Sequence, residues 1–392
     1  MDRKHLIALC QKLIRTPSES GSEEVAAAVV ADWMTQAGFD RVWTDAYGSV
    51  VGQIQGRGEG ISVLLDGHLD TVPVSDPSAW HFDPYGGQID SGRLYGRGAS
   101  DMKGAVAAML VALAEIAGRA ERPPGDIYFC GSVQEEVFEG IGLGEVLRQV
   151  QPDCVIIGEA SELNLKIGQR GRAEICLESQ GKTAHSANPQ RGINAVYKIL
   201  PALDALRTME LPEHPRLGSA IIELTDIISS PYPGASVVPK SCRTTWDRRL
   251  LEGETEHSVL AEIRSRLDAD MIPADDVTVS VVQASAPCYT GAEMGGTRFF
   301  PAWLMTEDHP LVITALKTLH AIGLDAKLDT YSFCTNGSMS AGTLGVPTLG
   351  FGPSREDQAH VVDEYILIDE LEKAAAGYHA LARALSQIRK EW

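Results

Sequence analysis

Three short apolar runs in this chain stop abruptly in side chains able to bind cations, and that recurrence narrows the folds open to it. Ile61-Ser-Val-Leu-Leu-Asp-Gly-His-Leu-Asp70 ends in His68 and Asp70, the run from Asp126 to Val133 ends in Gln134-Glu135-Glu136, and the run from Asp153 to Gly158 ends in Glu159. Runs of this length read as buried strands. In an open α/β sheet, strand ends along one edge are where ligands bind, so the pattern predicts an α/β fold with a site on such an edge. Scattered structural acids have no reason to repeat the placement. Within the first run, Gly67 is expected to turn the backbone tightly where the strand ends. His68 and Asp70, two residues apart, point to one side of an extended chain, which lets His68 bind a metal while Asp70 orients its ring.

A further acid, Asp101, lies in Leu94-Tyr-Gly-Arg-Gly-Ala-Ser-Asp-Met-Lys-Gly104, just ahead of the Ala-rich apolar run Ala105 to Ala117. The three glycines resemble a phosphate cradle, but their spacing fits neither the dinucleotide fingerprint nor the P-loop, which argues against a nucleotide. They are expected instead to bring Asp101 close to something at a helix N-terminus. Before them, the polar loop Thr71 to Arg93 carries Trp80, His81, Phe82, Pro84 and Tyr85, which either cover a pocket or anchor the loop.

The remaining patterning organises the chain around these signals. Helices are expected over Met1 to Ile14 and Val25 to Ala37, with Gly38 as a stop, followed by a strand, turn and strand from Val42 to Gln55. From Lys166 the texture becomes strands (Ala173 to Ser179, Ser219 to Ile228, Cys242 to Leu250, Val277 to Ala284) interleaved with helical segments near Gly192 to Met209 and Glu254 to Ala269. That pattern suggests an inserted α+β domain. Helices Pro310 to Ile322 and Ile368 to Ile388, an apolar run Gly345 to Gly352 and then His360 complete the chain. A length of 392 residues exceeds what one core usually holds, and the expected division is a domain of 1–167 with 296–392, interrupted by a second of 168–295.

With 53 acids against 34 bases and a formal charge of −19, the chain is a poor partner for nucleic acid or an anionic membrane. No apolar stretch reaches membrane-spanning length and no signal-peptide pattern opens the chain, so a cytoplasmic protein is expected. The seven cysteines lack a Cys-x-x-Cys pair and several sit in apolar runs, which reads as reduced, buried thiols.

The collected set is His68, Asp70, Asp101, Glu135, Glu136, Glu159 and His360. Two imidazoles among carboxylates suit zinc or a similar first-row cation, whereas an all-oxygen set points to calcium or magnesium. His68 with Glu159 can hold one ion and Glu136 with His360 a second, Asp101 being the natural bridge. Glu135 and Glu136 diverge in extended backbone, so one ligates while the other faces substrate as a general base.

Taken in order, Asp66-Gly-His-Leu-Asp70, Gly96-Arg-Gly-Ala-Ser-Asp-Met-Lys-Gly104, Gln134-Glu-Glu136, Gly158-Glu159 and Gln358-Ala-His360 resemble the di-zinc amidohydrolase and metallopeptidase family of acetylornithine deacetylase, succinyl-diaminopimelate desuccinylase, aminoacylase and carboxypeptidase G. The resemblance implies an α/β fold: a mixed-sheet zinc-peptidase catalytic domain with an inserted α+β lid and dimerisation domain. It implies His68, Asp101, Glu136, Glu159 and His360 as metal ligands, Glu135 as general base, Asp70 as the residue orienting His68, and a cis peptide after Asp101. Gly181-Lys-Thr-Ala-His185-Ser resembles the lid motif whose histidine crosses the dimer to an oxyanion, although by itself His185 reads as structural. Arg249 resembles the lid arginine that pairs with a substrate carboxylate, and Arg170, Thr335 and Asn336 occupy places where relatives contact substrate. Relatives often carry Asn before Val-Val-Pro, where this chain has Ser236. Pro301-Ala-Trp-Leu-Met-Thr-Glu-Asp-His309 and Tyr331-Ser-Phe-Cys-Thr-Asn-Gly337 are similar to the selenium-metabolism-linked hydrolase subgroup.

The resulting expectation is a homodimeric amidohydrolase with two zinc ions, cobalt or manganese being the alternatives, that cleaves the C–N amide bond of a small N-acyl or N-carbamoyl amino acid. In this family a glutamate at position 159 tends to mark deacylases and carboxypeptidases, and an aspartate aminopeptidases and dipeptidases. A dipeptidase or carboxypeptidase with the same di-metal centre is the first alternative, and a catalytically idle binding protein of the same fold the second.

Overall fold

The computed structural model describes residues 2–389; Met1, at the head of the first expected helix, lies outside them. Contacts divide the chain into two units, one of 1–169, 285–295 and 304–392, the other of 170–284 and 296–303.

The first unit is built on a nine-stranded mixed sheet. Its centre is parallel: Val63–His68 lies between Ile127–Ser132 and Cys154–Ile157, and Thr348–Gly350 runs parallel to Cys154–Ile157 on the far side. Arg41–Thr44 and Val50–Ile54 add an antiparallel margin beside Ile127–Ser132. Every residue of Val63–His68 is buried, as befits a parallel strand covered on both faces. Because the strands run together, their C-terminal ends reach one edge, and the chain continues from them to His68, Glu135, Glu136, Glu159 and, ten residues after Gly350, His360.

The helix Lys103–Ala117 is apolar on nearly all sides and almost wholly buried. It packs against Val63–His68 and against the helices Arg3–Ile14 and Ile368–Leu385, which explains why its sequence shows no polar face. Gly67 does not turn the chain: the strand runs through it to His68, and it lacks a positive φ. A Cβ there would stand 2.9 Å from Val106 Cγ2, so glycine serves close helix–sheet approach. Gly38 does follow the helix Glu24–Gln36 at φ +84, the left-handed stop the sequence signalled.

In the second unit, Ile221–Ser230, Ser241–Leu250, Gly171–Gln180 and Val277–Val281 form an antiparallel sheet in that order. The helices Ala195–Arg207 and Glu256–Ala269 pack on it through a core that includes Ile175, Leu177, Ile199, Trp246 and Ile263. The second helix opens with a capping box between Thr255 and Ser258.

Candidate metal centre

His68 ends its strand fully buried, and the two nitrogens of its ring face different partners. Nδ1 lies 2.9 Å from the Asp70 carbonyl oxygen; a carbonyl only accepts, so Nδ1 carries the proton and Nε2 points the other way. Nε2 is 2.9 Å from Asp101 Oδ1 and 3.5 Å from Glu159 Oε1. On the other side of Asp101, Oδ2 is 3.1 Å from His360 Nε2, which is also 2.9 Å from Glu136 Oε2. Asp101 thus offers one oxygen to each imidazole. His360 is half exposed while His68 is buried, so the cluster opens toward solvent on the His360 side.

Glu135 turns toward His68 and Glu159, within 4.8 Å of both, while Glu136 turns toward Asp101. The two glutamates do diverge, but on a turn and not on an extended strand: Gln134 before them has φ 56. Asp70 orients His68 mainly through its carbonyl, Oδ1 being 3.5 Å from Nδ1. Its carboxylate instead accepts from the backbone N–H groups of Glu135 and Glu136, at 3.1 Å each, and from Ser20 Oγ at 2.7 Å. One aspartate therefore fixes both the histidine and the glutamate pair.

The glycine-rich loop does cradle an anion, and that anion belongs to the protein. Gly96 and Gly98 take positive φ, and the N–H groups of Gly98, Ser100 and Asp101 donate to the Glu364 carboxylate at 3.1, 2.8 and 3.0 Å. Arg97 Nη1 completes the cradle at 2.7 Å. The Asp101–Met102 peptide is cis, in keeping with the resemblance. Arg97 also lies over Trp80, and Phe82, Tyr95 and Tyr365 stack in a chain, so the aromatics of the Thr71 to Arg93 loop anchor it.

Two predicted substrate contacts are already engaged elsewhere. Asn336 is buried, its Nδ2 donating to Asp66 Oδ2 at 2.8 Å and Ser132 Oγ at 3.0 Å, and its Oδ1 accepting from Gly140 N–H at 2.6 Å. Thr335 is also buried; its hydroxyl donates to Gln169 Oε1 at 2.6 Å and accepts from Gly337 N–H. Both tie strand ends together, with the Thr335 O–H and both Asn336 amide N–H groups donated within the protein. In the second unit, Arg170 Nη1 donates to the Ser219 carbonyl and Arg249 Nε pairs with Asp247 at 2.8 Å. His185 is exposed, with Nδ1 accepting from Ala187 N–H at 3.0 Å. Ser236, in the place of the usual Asn, has φ 58, a left-handed conformation in which Asn is enriched for backbone reasons alone.

Sequence reasoning missed Glu364 and Glu23. Glu23 is buried and accepts from the N–H groups of Gly21 and Gln134 at 3.0 Å, steadying the turn that presents Glu135. Glu364 had one available signal, its position four residues after His360; Glu23 had none, since an acid at a helix start is ordinary.

Electrostatically the cluster holds more negative charge than it can balance. Burial, and then Asp101, pushes Glu136 up to about 7. Burial, with Glu159 and Glu136 adding to it, holds Glu135 well above the usual carboxylate range. Burial alone would depress His68, but the hydrogen bonds its ring donates to the carboxylates of Asp101, Asp70 and Glu159 raise it well above the usual imidazole value. His360 rises to about 10 through Asp101 and Glu136. A donor set of this kind suits divalent cations. With zinc–ligand bonds of about 2.0–2.1 Å, the edge of a tetrahedron is roughly 3.3–3.4 Å; of the nitrogen–oxygen distances, 2.9, 3.1 and 2.9 Å fall short of it, as direct hydrogen bonds do, and 3.5 Å exceeds it. By contrast all seven cysteines are free and buried.

A parallel-centred α/β sheet whose strand ends bring two histidines to either oxygen of one carboxylate is the arrangement expected of a dinuclear metallohydrolase. Residues 64–384 match the model of peptidase family M20/M25/M40, and the chain belongs to that family. It is 32% identical over 374 residues to the uncharacterized protein YgeY of Escherichia coli K12, covering 94% of this chain and 91% of that one. It is 30% identical over 394 residues to the succinyl-diaminopimelate desuccinylase of Methylobacterium radiotolerans, covering 95% and 94%. Among solved structures, a tripeptidase from Staphylococcus aureus superposes with a TM-score of 0.76 at 19% identity, covering 99% of both chains. YXEP from Bacillus subtilis, described as a dinuclear metal binding peptidase, gives 0.72 at 13% identity, covering 98% of both. These two likenesses establish the fold.

Proposed function

We propose that this hydrolase is a metal-dependent amidohydrolase acting on the C–N amide bond of a small N-acyl or N-carbamoyl amino acid. The observation that carries the reading is Asp101, whose two oxygens face His68 and His360 at 2.9 and 3.1 Å. In this reading His68 and Glu159 would hold one divalent cation and Glu136 and His360 the other, with an Asp101 oxygen available to each. Two such ions supply Lewis acidity and an acidified water. Glu135 is the general base: its carboxylate is buried yet makes no hydrogen bond or ion pair among the described residues, leaving it free to take a proton from the attacking water and return it to the leaving amine. Asp70 holds both His68 and the Glu135 amide in register.

The desuccinylase relative, an enzyme named for removal of an N-succinyl group, supports an acylated amino acid as substrate. His185 serves as the oxyanion donor from a partner subunit. Its Nδ1 accepts from Ala187 N–H, so the neutral ring carries its proton on Nε2, the donor that an oxyanion needs. The terminal nitrogens of Arg249 are left for a substrate carboxylate, since its pair with Asp247 uses Nε. Homodimerisation is supported by the ten-residue edge strand Ile221–Ser230, which exposes Ile221, Ile227 and Ile228; an unpaired apolar edge calls for a strand beside it. Among the described residues no helix is long and apolar enough to cross a membrane.

The test is turnover by zinc-, cobalt- and manganese-loaded protein on N-acetyl, N-succinyl and N-carbamoyl amino acids beside dipeptides, repeated with Glu135→Ala. Acylated amino acids should be hydrolysed, and the variant should keep its ions while losing about 10²–10⁴ in rate. Preferential cleavage of dipeptides would instead make it a dipeptidase, and a Glu135→Ala variant with full turnover would remove Glu135 from the mechanism.

A further inference from the structure

At the opposite end of the central strands from the metal ligands, a cavity of about 500 Å³ is lined by five arginines and two glutamates. Arg57 and Glu59 come just before the strand Val63–His68, Glu121 to Pro124 just before Ile127–Ser132, and Arg383 and Arg389 from the end of the helix Ile368–Leu385 and beyond. A strand of six residues spans about 20 Å, so the cavity is separate from the metal centre.

Two of the five guanidiniums are satisfied locally. Arg122 is bidentate on Asp40, with both bonds 2.8 Å, and Arg57 holds Glu59 through Nε and Nη2 while Nη1 donates to the Arg122 carbonyl. The guanidiniums of Arg119, Arg383 and Arg389 have no such partner among the described residues. His379, one turn before Arg383, registers the convergence of two of them. Its Nε2 is buried without a hydrogen-bond partner, and burial, then the charges of Arg119 and Arg383, hold its pKa below the usual imidazole value.

Helix ends account for part of this. Arg119 follows the helix Lys103–Ala117 and Arg383 lies in the last turn of Ile368–Leu385, where a cation complements each dipole. That explains one cation per helix; it does not explain why both, with Arg389, face one cavity in a chain of net charge −19. The two glutamates of the lining both lie beside Arg57, Glu59 at 3.0 Å and Glu121 at 3.7 Å, so the like charges of Arg119, Arg383 and Arg389 repel without a paired acid of the lining to offset them.

We propose that this cavity binds a phosphate-bearing small molecule of about mononucleotide size, gripped by Arg119, Arg383 and Arg389. The planar guanidinium fork matches phosphate oxygens bidentately, and a phosphate monoester with a charge of about −1.5 to −2 answers several arginines better than one carboxylate does. The volume falls within the ligand-pocket range of roughly 300–1,000 Å³, larger than a bare anion fills. Ile116, Pro123 and Pro124 supply an apolar wall for the organic portion.

The experiment is calorimetric titration of the metal-loaded protein at about 0.15 M salt with adenosine monophosphate, inorganic phosphate and adenosine, each repeated on Arg119→Glu/Arg383→Glu and on the milder Arg389→Ala. The expected result is saturable binding of the monophosphate with a Kd at or below about 1 mM, weaker binding of inorganic phosphate, and none of adenosine. Binding should fall about tenfold or more in the double variant and less in Arg389→Ala, with turnover on the best substrate unchanged in both. Three results would each overturn the proposal: no saturable binding of either phosphate probe, adenosine binding as tightly as its monophosphate, or binding that survives the double variant and disappears on chelation, which would place the anion on the metals.

Discussion

Glu364 and Asp101 are buried on either side of one loop, and the chain treats their carboxylates in opposite ways. Around Glu364 it supplies three backbone N–H groups and the Arg97 guanidinium, so the charge is answered from within. Around Asp101 it supplies two imidazoles but adds Glu135, Glu136 and Glu159 to the same space. A buried carboxylate without compensation costs several kcal/mol, and three more beside it are tolerable only where cations complete the cluster. The difference separates an anion answered by the protein from acids arranged to receive cations, although both stand next to the same glycines.

The largest effect should come from the ligand side of this pair. Asp101→Ala removes the oxygen facing each imidazole at once, so both ions should be lost in metal analysis and turnover should fall by several orders of magnitude, at least the 10²–10⁴ assigned to general-base loss. Retention of one tightly held ion would show that Asp101 is a ligand to a single site and not a bridge.

Glu364→Gln tests the structural side. Breaking a buried pair by removing one partner leaves Arg97 uncompensated and should cost about 3–5 kcal/mol in denaturant unfolding, and metal affinity should drop about 10–100-fold because the Asp101 loop loosens. Arg97→Met/Glu364→Leu sharpens the point. If the ion pair were the whole role, an apolar replacement would be near neutral; with the amides of Gly98, Ser100 and Asp101 left without an acceptor, the double variant should stay destabilised.

Adding ions to the metal-free chain should produce the converse. An ion bound only by the folded state at about 100 times its Kd contributes about 2.7 kcal/mol, seen as a rise in the unfolding midpoint that Asp101→Ala abolishes and Glu364→Gln reduces. Equal rises in wild type and Asp101→Ala would mean that the ions bind elsewhere.

How much of this was legible in the sequence follows from the same contrast. His68, Glu136 and Glu159 follow the ends of apolar runs and Asp101 precedes an apolar helix, and the parallel sheet gathers these points on one edge, where His360 joins them from ten residues beyond Gly350; the grouping was legible by that logic for all but His360. Glu364 ends no strand, and its role depends on a loop more than 250 residues earlier in the chain wrapping around it. The glycine spacing fits neither nucleotide motif, yet nothing local could say that the loop amides would hold a side-chain carboxylate. Gly67 misled for a related reason: its neighbour Val106 is brought over the strand only by the packing of a whole helix. The second unit was readable as alternating strands and helices, while the pairing of Arg249 with Asp247 was not.

The smallest effect concerns Asn336, which the resemblance places at the substrate and whose amide is hydrogen-bonded within the protein. Its amide is spent on Asp66, Ser132 and the Gly140 N–H, bonds that join the ends of Val63–His68 and Ile127–Ser132 to the turn before the helix Ile141–Val150. Removing it leaves a buried carboxylate and an N–H short of partners, so Asn336→Ala should cost about 1–3 kcal/mol in stability. Asp66 adjoins the His68 strand end, so kcat should fall modestly as the ligands lose definition. KM is the discriminating quantity. A residue that bound substrate would raise KM when truncated, whereas a brace between strand ends should leave it within about twofold while the unfolding midpoint drops. A rise in KM with no loss of stability would return Asn336 to the substrate and place the brace elsewhere.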